Sequence, residues 1–184
     1  MLGLLDEYRG DEPATRRAQA RLYSELGLLD LATGDYRAAR EKFGQALTMR
    51  QQIGDRAGAA ATWHGLATID LNEGDYRAAR EKFGQALTMR QQIGDRAGAA
   101  ATFAQLGILA AQGGRAEPGL RLLVLSALIL QALGHADLRR VEPWVNQLIA
   151  QLNYSPAQLK ALLQEVAAAY QADGGRGLVA AAFD

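Results

Sequence analysis

The sequence predicts an all-α solenoid of antiparallel helix pairs, and three observations carry that prediction. The stretch GDYRAAREKFGQALTMRQQIGDRAGAAAT, Gly34 to Thr62, recurs unchanged from Gly74 to Thr102: 29 identical residues at a period of 40. Self-similarity at such a period marks a repeat architecture, in which each unit buries its apolar face against the next. Each period also holds two apolar stripes at three-to-four spacing, the mark of two amphipathic helices. Gly-Asp pairs at 34–35, 54–55, 74–75 and 94–95 punctuate the stripes.

The first stripe runs through Tyr23, Leu26 and Gly27, and returns as Trp63, Leu66 and Ala67 and as Phe103, Leu106 and Gly107. A small residue at its third place lets two helices approach closely. The second stripe is Tyr36, Ala39, Phe43, Ala46 and Leu47, continuing to Met49 or Arg50. Each Asp of a Gly-Asp pair is a good N-cap, because its carboxylate accepts an orphan backbone N–H. The Gly before it suits the end of the preceding helix.

These residues resemble the tetratricopeptide repeat family. The family pattern is an aromatic, then Leu-Gly three and four later, then Ala and an aromatic four apart in the second helix. Here it reads Trp63, Leu66, Ala67, Ala79 and Phe83, with Gly74-Asp75-Tyr76 ahead of the second helix. The resemblance covers roughly residues 14–133. The period of 40 is similar to a longer-helix variant in signalling scaffolds and in sensor regions of bacterial multidomain proteins. Two departures stand out: the family's Tyr seven residues after the first aromatic is Asp30, Asp70 and Ala110, and its closing Pro is Gly-Asp. In the third copy Pro118-Gly119 replaces Ala-Ala and Leu123 replaces Phe, as expected near a solenoid end.

The predicted organisation is a lead-in at 1–13, three helix pairs at about 14–53, 54–93 and 94–133, and a helical capping region at 134–184. Leu2, Leu4 and Leu5 resemble the end of a preceding second helix, so the chain is expected to be cut from a longer protein or to begin on a half-repeat. Residues 120–133 are apolar nearly all round and need cover on more than one side. At 14 residues that stretch is too short to span a bilayer. Residues 137–152 read as a helix with Val141, Trp144, Val145 and Leu148 on one face. Ser155-Pro156-Ala157-Gln158 is a capping box with Pro at the first helical position. It opens a helix through about Tyr170, with Leu159, Leu162, Leu163 and Val166 as its stripe. Gly174-Gly175 ends that helix, and Leu178 to Phe183 tucks back.

Composition narrows the function. Lys+Arg and Asp+Glu both number 20 in 184 residues, so no bulk charge draws the chain to nucleic acid or to an anionic membrane. The absence of cysteine excludes disulfides, thiolate metal sites and cysteine nucleophiles. MLGLLDEYRGDEP lacks the basic and apolar regions of a secretory signal, and the expected location is the cytoplasm. No Gly-rich phosphate loop is present. His64 and His135 stand 71 residues apart without metal-site context. No triad or paired carboxylates emerge, so neither an enzyme nor a cofactor is expected. Asp30 and Asp70 lie on the packed side, where a carboxylate needs a partner. A structural bond to a neighbouring helix is the leading reading, and a ligand contact the alternative. The RAAREK rows at 37–42 and 77–82 interleave Arg with Glu41, Glu81, Asp35 and Asp75, which reads as a solvated face rather than a phosphate stripe.

The resemblance implies a partner along the concave surface of the first helices, at places one, five, eight and nine after the first aromatic. In this chain these are Ser24, Leu28, Leu31 and Ala32; His64, Thr68, Leu71 and Asn72; and Ala104, Ile108, Ala111 and Gln112. The Lys and Asn with which some family members grip a peptide carboxylate are absent, because Ser24, His64, Ala104 and Leu28, Thr68, Ile108 stand there. The window 63–73 differs from 103–113 almost everywhere except at Leu66 and Leu106. That contrast fits a fixed scaffold with a variable recognition surface, and equally recombination between older repeats or a designed consensus. The expected function is a scaffold that binds a protein or peptide. The alternative is a structural module whose open repeat face mediates self-association.

Overall fold

A computed structural model describes residues 12–183. Among these residues are nine helices and no strand: α1 (Glu12–Thr33), α2 (Tyr36–Gln52), α3 (Arg56–Asn72), α4 (Tyr76–Gln92), α5 (Arg96–Gln112), α6 (Ala116–Leu133), α7 (Leu138–Gln151), α8 (Pro156–Asp173) and α9 (Arg176–Phe183). The lead-in with Leu2, Leu4 and Leu5 lies outside the described residues.

The Gly-Asp junctions do what their chemistry predicts. Gly34, Gly54, Gly74 and Gly94 hold φ between +68° and +81°, a left-handed turn without steric cost only for glycine. The carboxylates of Asp35, Asp55, Asp75 and Asp95 accept the N–H of Ala38, Gly58, Ala78 and Gly98 at 2.8–3.0 Å. Each satisfies a donor that the helix start would otherwise leave orphaned.

The chain divides into two compact units, and the boundary falls between Met89 and Arg90 inside α4. In the first, α1, α2 and α3 pack consecutively and α1 also meets α3. Ala39, Phe43, Leu47, Ala59, Leu66 and Ile69 form the core, with Leu31, Tyr36, Trp63 and Met89 packed against it. Glycine makes room for Phe43: a Cβ on Gly65 would lie 2.8 Å from its Cζ. Phe83 is fully buried, with the His64 ring edge-on at 5.1 Å. Arg50 links α2 to α3: its Nη1 donates to the Gly58 carbonyl at 2.7 Å and also bonds the Thr62 hydroxyl. Leu26 departs from expectation. It sits in the packing stripe by spacing but is exposed, unlike its buried counterparts Leu66 and Leu106, because no preceding helix pair covers α1 among the described residues.

The second unit repeats the arginine link. Arg90 Nη1 donates to the Gly98 carbonyl at 2.7 Å and to the Thr102 hydroxyl at 2.6 Å, and burial pulls the guanidinium below its usual range. The third helix pair then closes differently. Where earlier pairs set a phenylalanine against a small residue, α5 and α6 meet backbone to backbone. A Cβ on Gly119 would lie 2.6 Å from the Gly107 carbonyl oxygen.

Helix α6 has 18 residues, four more than the apolar stretch suggested, and by length and composition alone is long and apolar enough to cross a membrane. In the fold its Leu120, Leu122, Leu123, Val124, Leu125, Ile129 and Leu130 are buried against α5, α7, α8 and α9. In α7, Val141 and Leu148 are buried. The capping box forms: the Ser155 hydroxyl accepts the Gln158 N–H at 3.3 Å, and Gln158 Oε1 accepts the Ser155 N–H at 2.9 Å. Helix α8 runs to Asp173, three residues beyond the predicted end, and buries Leu162 and Val166 but leaves Leu163 exposed. The Asp173 carboxylate accepts the N–H of Gly175 and of Gly177 at 2.8 and 2.7 Å. Those two bonds start α9, which buries Leu178 and Ala182.

Candidate protein-binding surface

The predicted contact residues fall on α1, α3 and α5. On α3, His64, Thr68, Leu71 and Asn72 share one face by their spacing, with Asn72 exposed and the other three half-buried. The Thr68 hydroxyl donates to the His64 carbonyl at 2.9 Å, so that side chain is held against its own helix. Gly65, Leu66 and Ile69 of the same helix are buried. On α1, Leu28 and Ala32 are exposed and Ser24 is half-buried. Leu31 packs against the core and is only partly accessible. On α5, Gln112 is exposed, Ile108 and Ala111 are half-buried, and Ala104 is buried. Within the first unit α1 and α3 are in contact.

Charge is organised by pairing. Asp70 is buried and takes Arg40 Nη1 at 2.8 Å, while Lys82 Nζ bonds its second oxygen and Arg40 also reaches Glu73. The structural reading of this carboxylate therefore holds. The bond to Asp70 raises the Arg40 guanidinium above its usual range, against the opposing effect of burial, and Glu73 adds to the rise. In the first RAAREK row Arg37 and Glu41 are exposed, as a solvated face requires, and one arginine is also paired. Arg40, still partly exposed, is also a cross-helix tie from α2 to α3, because position 70 offers a carboxylate. Asp30 is half-buried, and its backbone carbonyl accepts the Asp35 N–H at 2.9 Å and the Thr33 hydroxyl at 3.0 Å.

Sequence reasoning missed a cleft of about 300 Å³ in the second unit, lined by Glu117, Arg121, Tyr154, Gln158, Leu162 and Glu165. Arg121 donates to Glu165 at 2.9 Å and to Glu117 at 3.4 Å, and the Tyr154 hydroxyl donates to Glu117 at 2.8 Å. Burial and then that carboxylate raise the Tyr154 hydroxyl above its ordinary value. These residues come from α6, α8 and the turn before α8, so no sequence spacing announces them. Among the described residues, no group of three His, Asp or Glu side chains is placed to hold a metal.

Successive helix pairs joined by turns of two or three residues define the class: a TPR-type α-solenoid. No protein-family model matches the chain, and neither does any curated protein sequence. Solved structures do. RapI in its apo form superposes with a TM-score of 0.70 at 13% identity, over 91% of this chain and 68% of that one. BtubC (BKLC) from P. vanneervenii gives 0.65 at 19% identity over 85% of this chain. The match spans 65% of BtubC, slightly under two thirds of its length. A Podosopora anserina protein described as a kinesin light chain with nearly identical TPR-like repeats aligns over 94% of this chain and 93% of its own, at 20% identity and a TM-score of 0.49. At these identities the likeness is one of fold.

Proposed function

We propose that the chain is a non-catalytic scaffold that binds a protein or peptide on the accessible face of its first helices. The observation that carries this reading is the division of α3. One side is packed into the core, whereas His64, Thr68, Leu71 and Asn72 present a mixed polar and apolar face. Such a face suits an extended segment, with Leu71, and Leu28 on α1, taking apolar side chains while His64 and Asn72 bond its backbone. No Lys or Arg stands at these places, so a peptide carboxylate is not the anchor. The neutral net charge and the pairing of Arg40 argue against a nucleic-acid or membrane-surface partner. On the resemblance of its period to that of bacterial sensor regions, the chain is read as the interaction region of a cytoplasmic signalling protein.

Selection of a random twelve-residue peptide library on the purified chain tests this. Enriched peptides are expected to lose at least about tenfold in affinity, about 1.4 kcal/mol, when His64→Ala and Asn72→Ala are combined, with helicity unchanged. Interface energy concentrates in a few central residues, so Arg37→Ala and Arg77→Ala on the second helices are expected to change affinity little. No enrichment, or enriched peptides indifferent to His64 and Asn72 but lost with the arginines, would reject the assignment.

A further inference from the structure

The turn between α8 and α9 sits on α5. Gly174 and Gly175 form that turn, with φ of +72° and +85°. Gln91 Nε2 donates to the Gly174 carbonyl at 2.8 Å, across 83 positions of chain. Gly175 is buried, and a Cβ there would lie 3.0 Å from Phe103 Cζ and 2.8 Å from Leu125 Cδ2. Tyr170, one helical turn earlier, sets its ring edge-on to Phe103 with centroids 6.5 Å apart. From this turn α9 packs on α5 and α6 and buries Leu178 and Ala182. Phe103 is fully shielded from water, whereas Tyr23 and Trp63, at the same place in the earlier copies, are half-buried. Ala104, the predicted contact residue beside Phe103, is buried as well.

We propose that residues 174–183 are a built-in ligand: they fill a docking site on α5 for a glycine-led apolar segment, and a partner of that chemistry binds there by displacing them. This extends the peptide-binding reading from α3 to α5, and rests on it. The manner of contact is that of peptide recognition. A side-chain amide holds a backbone carbonyl, a glycine lies against an aromatic ring, and an apolar residue three positions later is buried. The seat also selects its occupant. Any side chain at the place of Gly175 would meet Phe103 and Leu125, and the positive φ there favours glycine again. The hold is weak enough for exchange. Helix α9 has eight residues, too few for a helix that is stable alone, and its Arg176, Gly177, Ala180 and Ala181 are exposed. A segment with so little buried surface opens at low free energy. The tether offsets that weakness, because it presents α9 to the site at a roughly millimolar effective concentration. A free peptide therefore competes poorly until α9 is dislodged.

Parallel selection of one random twelve-residue peptide library on the full wild-type chain and on the full Leu178→Glu chain is the test. The variant puts a charge where α9 buries its leucine and so unseats the helix. It is expected to enrich peptides with a glycine followed three positions later by an apolar residue. These peptides are expected to bind the wild-type chain at least about tenfold more weakly. A synthetic peptide of residues 174–184 is expected to displace them from the variant. Gly175→Ala serves if Leu178→Glu fails to fold, because its methyl would meet Phe103 and Leu125. The same peptides at equal affinity on both chains, no enrichment on either, or enriched peptides that residues 174–184 do not displace would overturn the proposal. The two selections read α9, whereas His64→Ala with Asn72→Ala reads α3, so failure of either assignment is seen apart from failure of the other.

Discussion

Arg40 on α2 places its Nη1 2.8 Å from the carboxylate of Asp70 on α3, and that carboxylate is almost wholly shielded from water. Lys82 closes on its other oxygen. A carboxylate so placed is tolerable only because both oxygens are bonded. Removing it leaves Lys82 without this carboxylate and Arg40 with Glu73 alone. Asp70→Ala is therefore expected to destabilise the chain by about 1–3 kcal/mol in urea unfolding. In a double-mutant cycle with Arg40→Ala the pair is expected to couple by more than about 0.5 kcal/mol. Additive single effects would mean that Lys82 alone neutralises the site.

The helix crossings should respond to volume in opposite senses. Phe83 is fully buried under the His64 ring, and Phe83→Ala is expected to cost about 3–5 kcal/mol through the cavity left behind. Gly119→Ala adds a methyl where the nearest atom is the backbone oxygen of Gly107, at 2.6 Å, which no side-chain rotation relieves. It is expected to lower stability by at least about 1–3 kcal/mol. An unchanged thermal midpoint for either variant would contradict the packing at that crossing.

Truncation after Leu133 should expose the buried leucines of α6 that α7, α8 and α9 cover. Exposed apolar area of that kind drives association. The fragment 1–133 is expected to aggregate, with light scattering as the readout. A soluble, monomeric, fully helical fragment would show that residues 134–184 are not a cap.

The start of α9 should be sensitive to acid. The N–H of Gly177, and then those of Gly175 and Arg176, hold the Asp173 carboxyl below its ordinary value of 3.8. A carboxyl depressed on folding contributes stability in full above the unfolded value, and loses it as pH falls through the folded one. The melting-temperature gap between the wild-type chain and Asp173→Ala is therefore expected to be constant from neutral pH to about pH 5, and to narrow below the ordinary carboxylate range. A gap that stays constant to pH 2 would mean that the carboxylate charge contributes nothing.

Much of this architecture was legible in the sequence because its determinants are local or periodic. The aspartate caps and the Ser155 box act within three residues, so the chain itself specifies where helices begin. The repeat of Gly34 to Thr62 at 74–102 requires one helix-pair geometry twice, and Phe43 and Phe83 follow as core residues from period alone. The face shared by His64, Thr68, Leu71 and Asn72 follows from helical spacing in the same way. Tertiary structure decided what depends on the neighbour across the crossing. Arg40 lies in a RAAREK row that recurs unchanged at 77–82, and nothing in that row announces its carboxylate partner, because Asp70 stands on another helix 30 positions away. Leu26 and Leu66 share one place in the pattern, but only Leu66 is buried, because burial belongs to the helix that covers a residue rather than to the residue. The cleft around Arg121 joins Glu117 to Glu165 across 48 positions of chain, and no spacing rule reaches that far. Local hydrogen bonds and periodic hydrophobicity are written residue by residue, whereas long-range pairing and exposure exist only once the helices have packed.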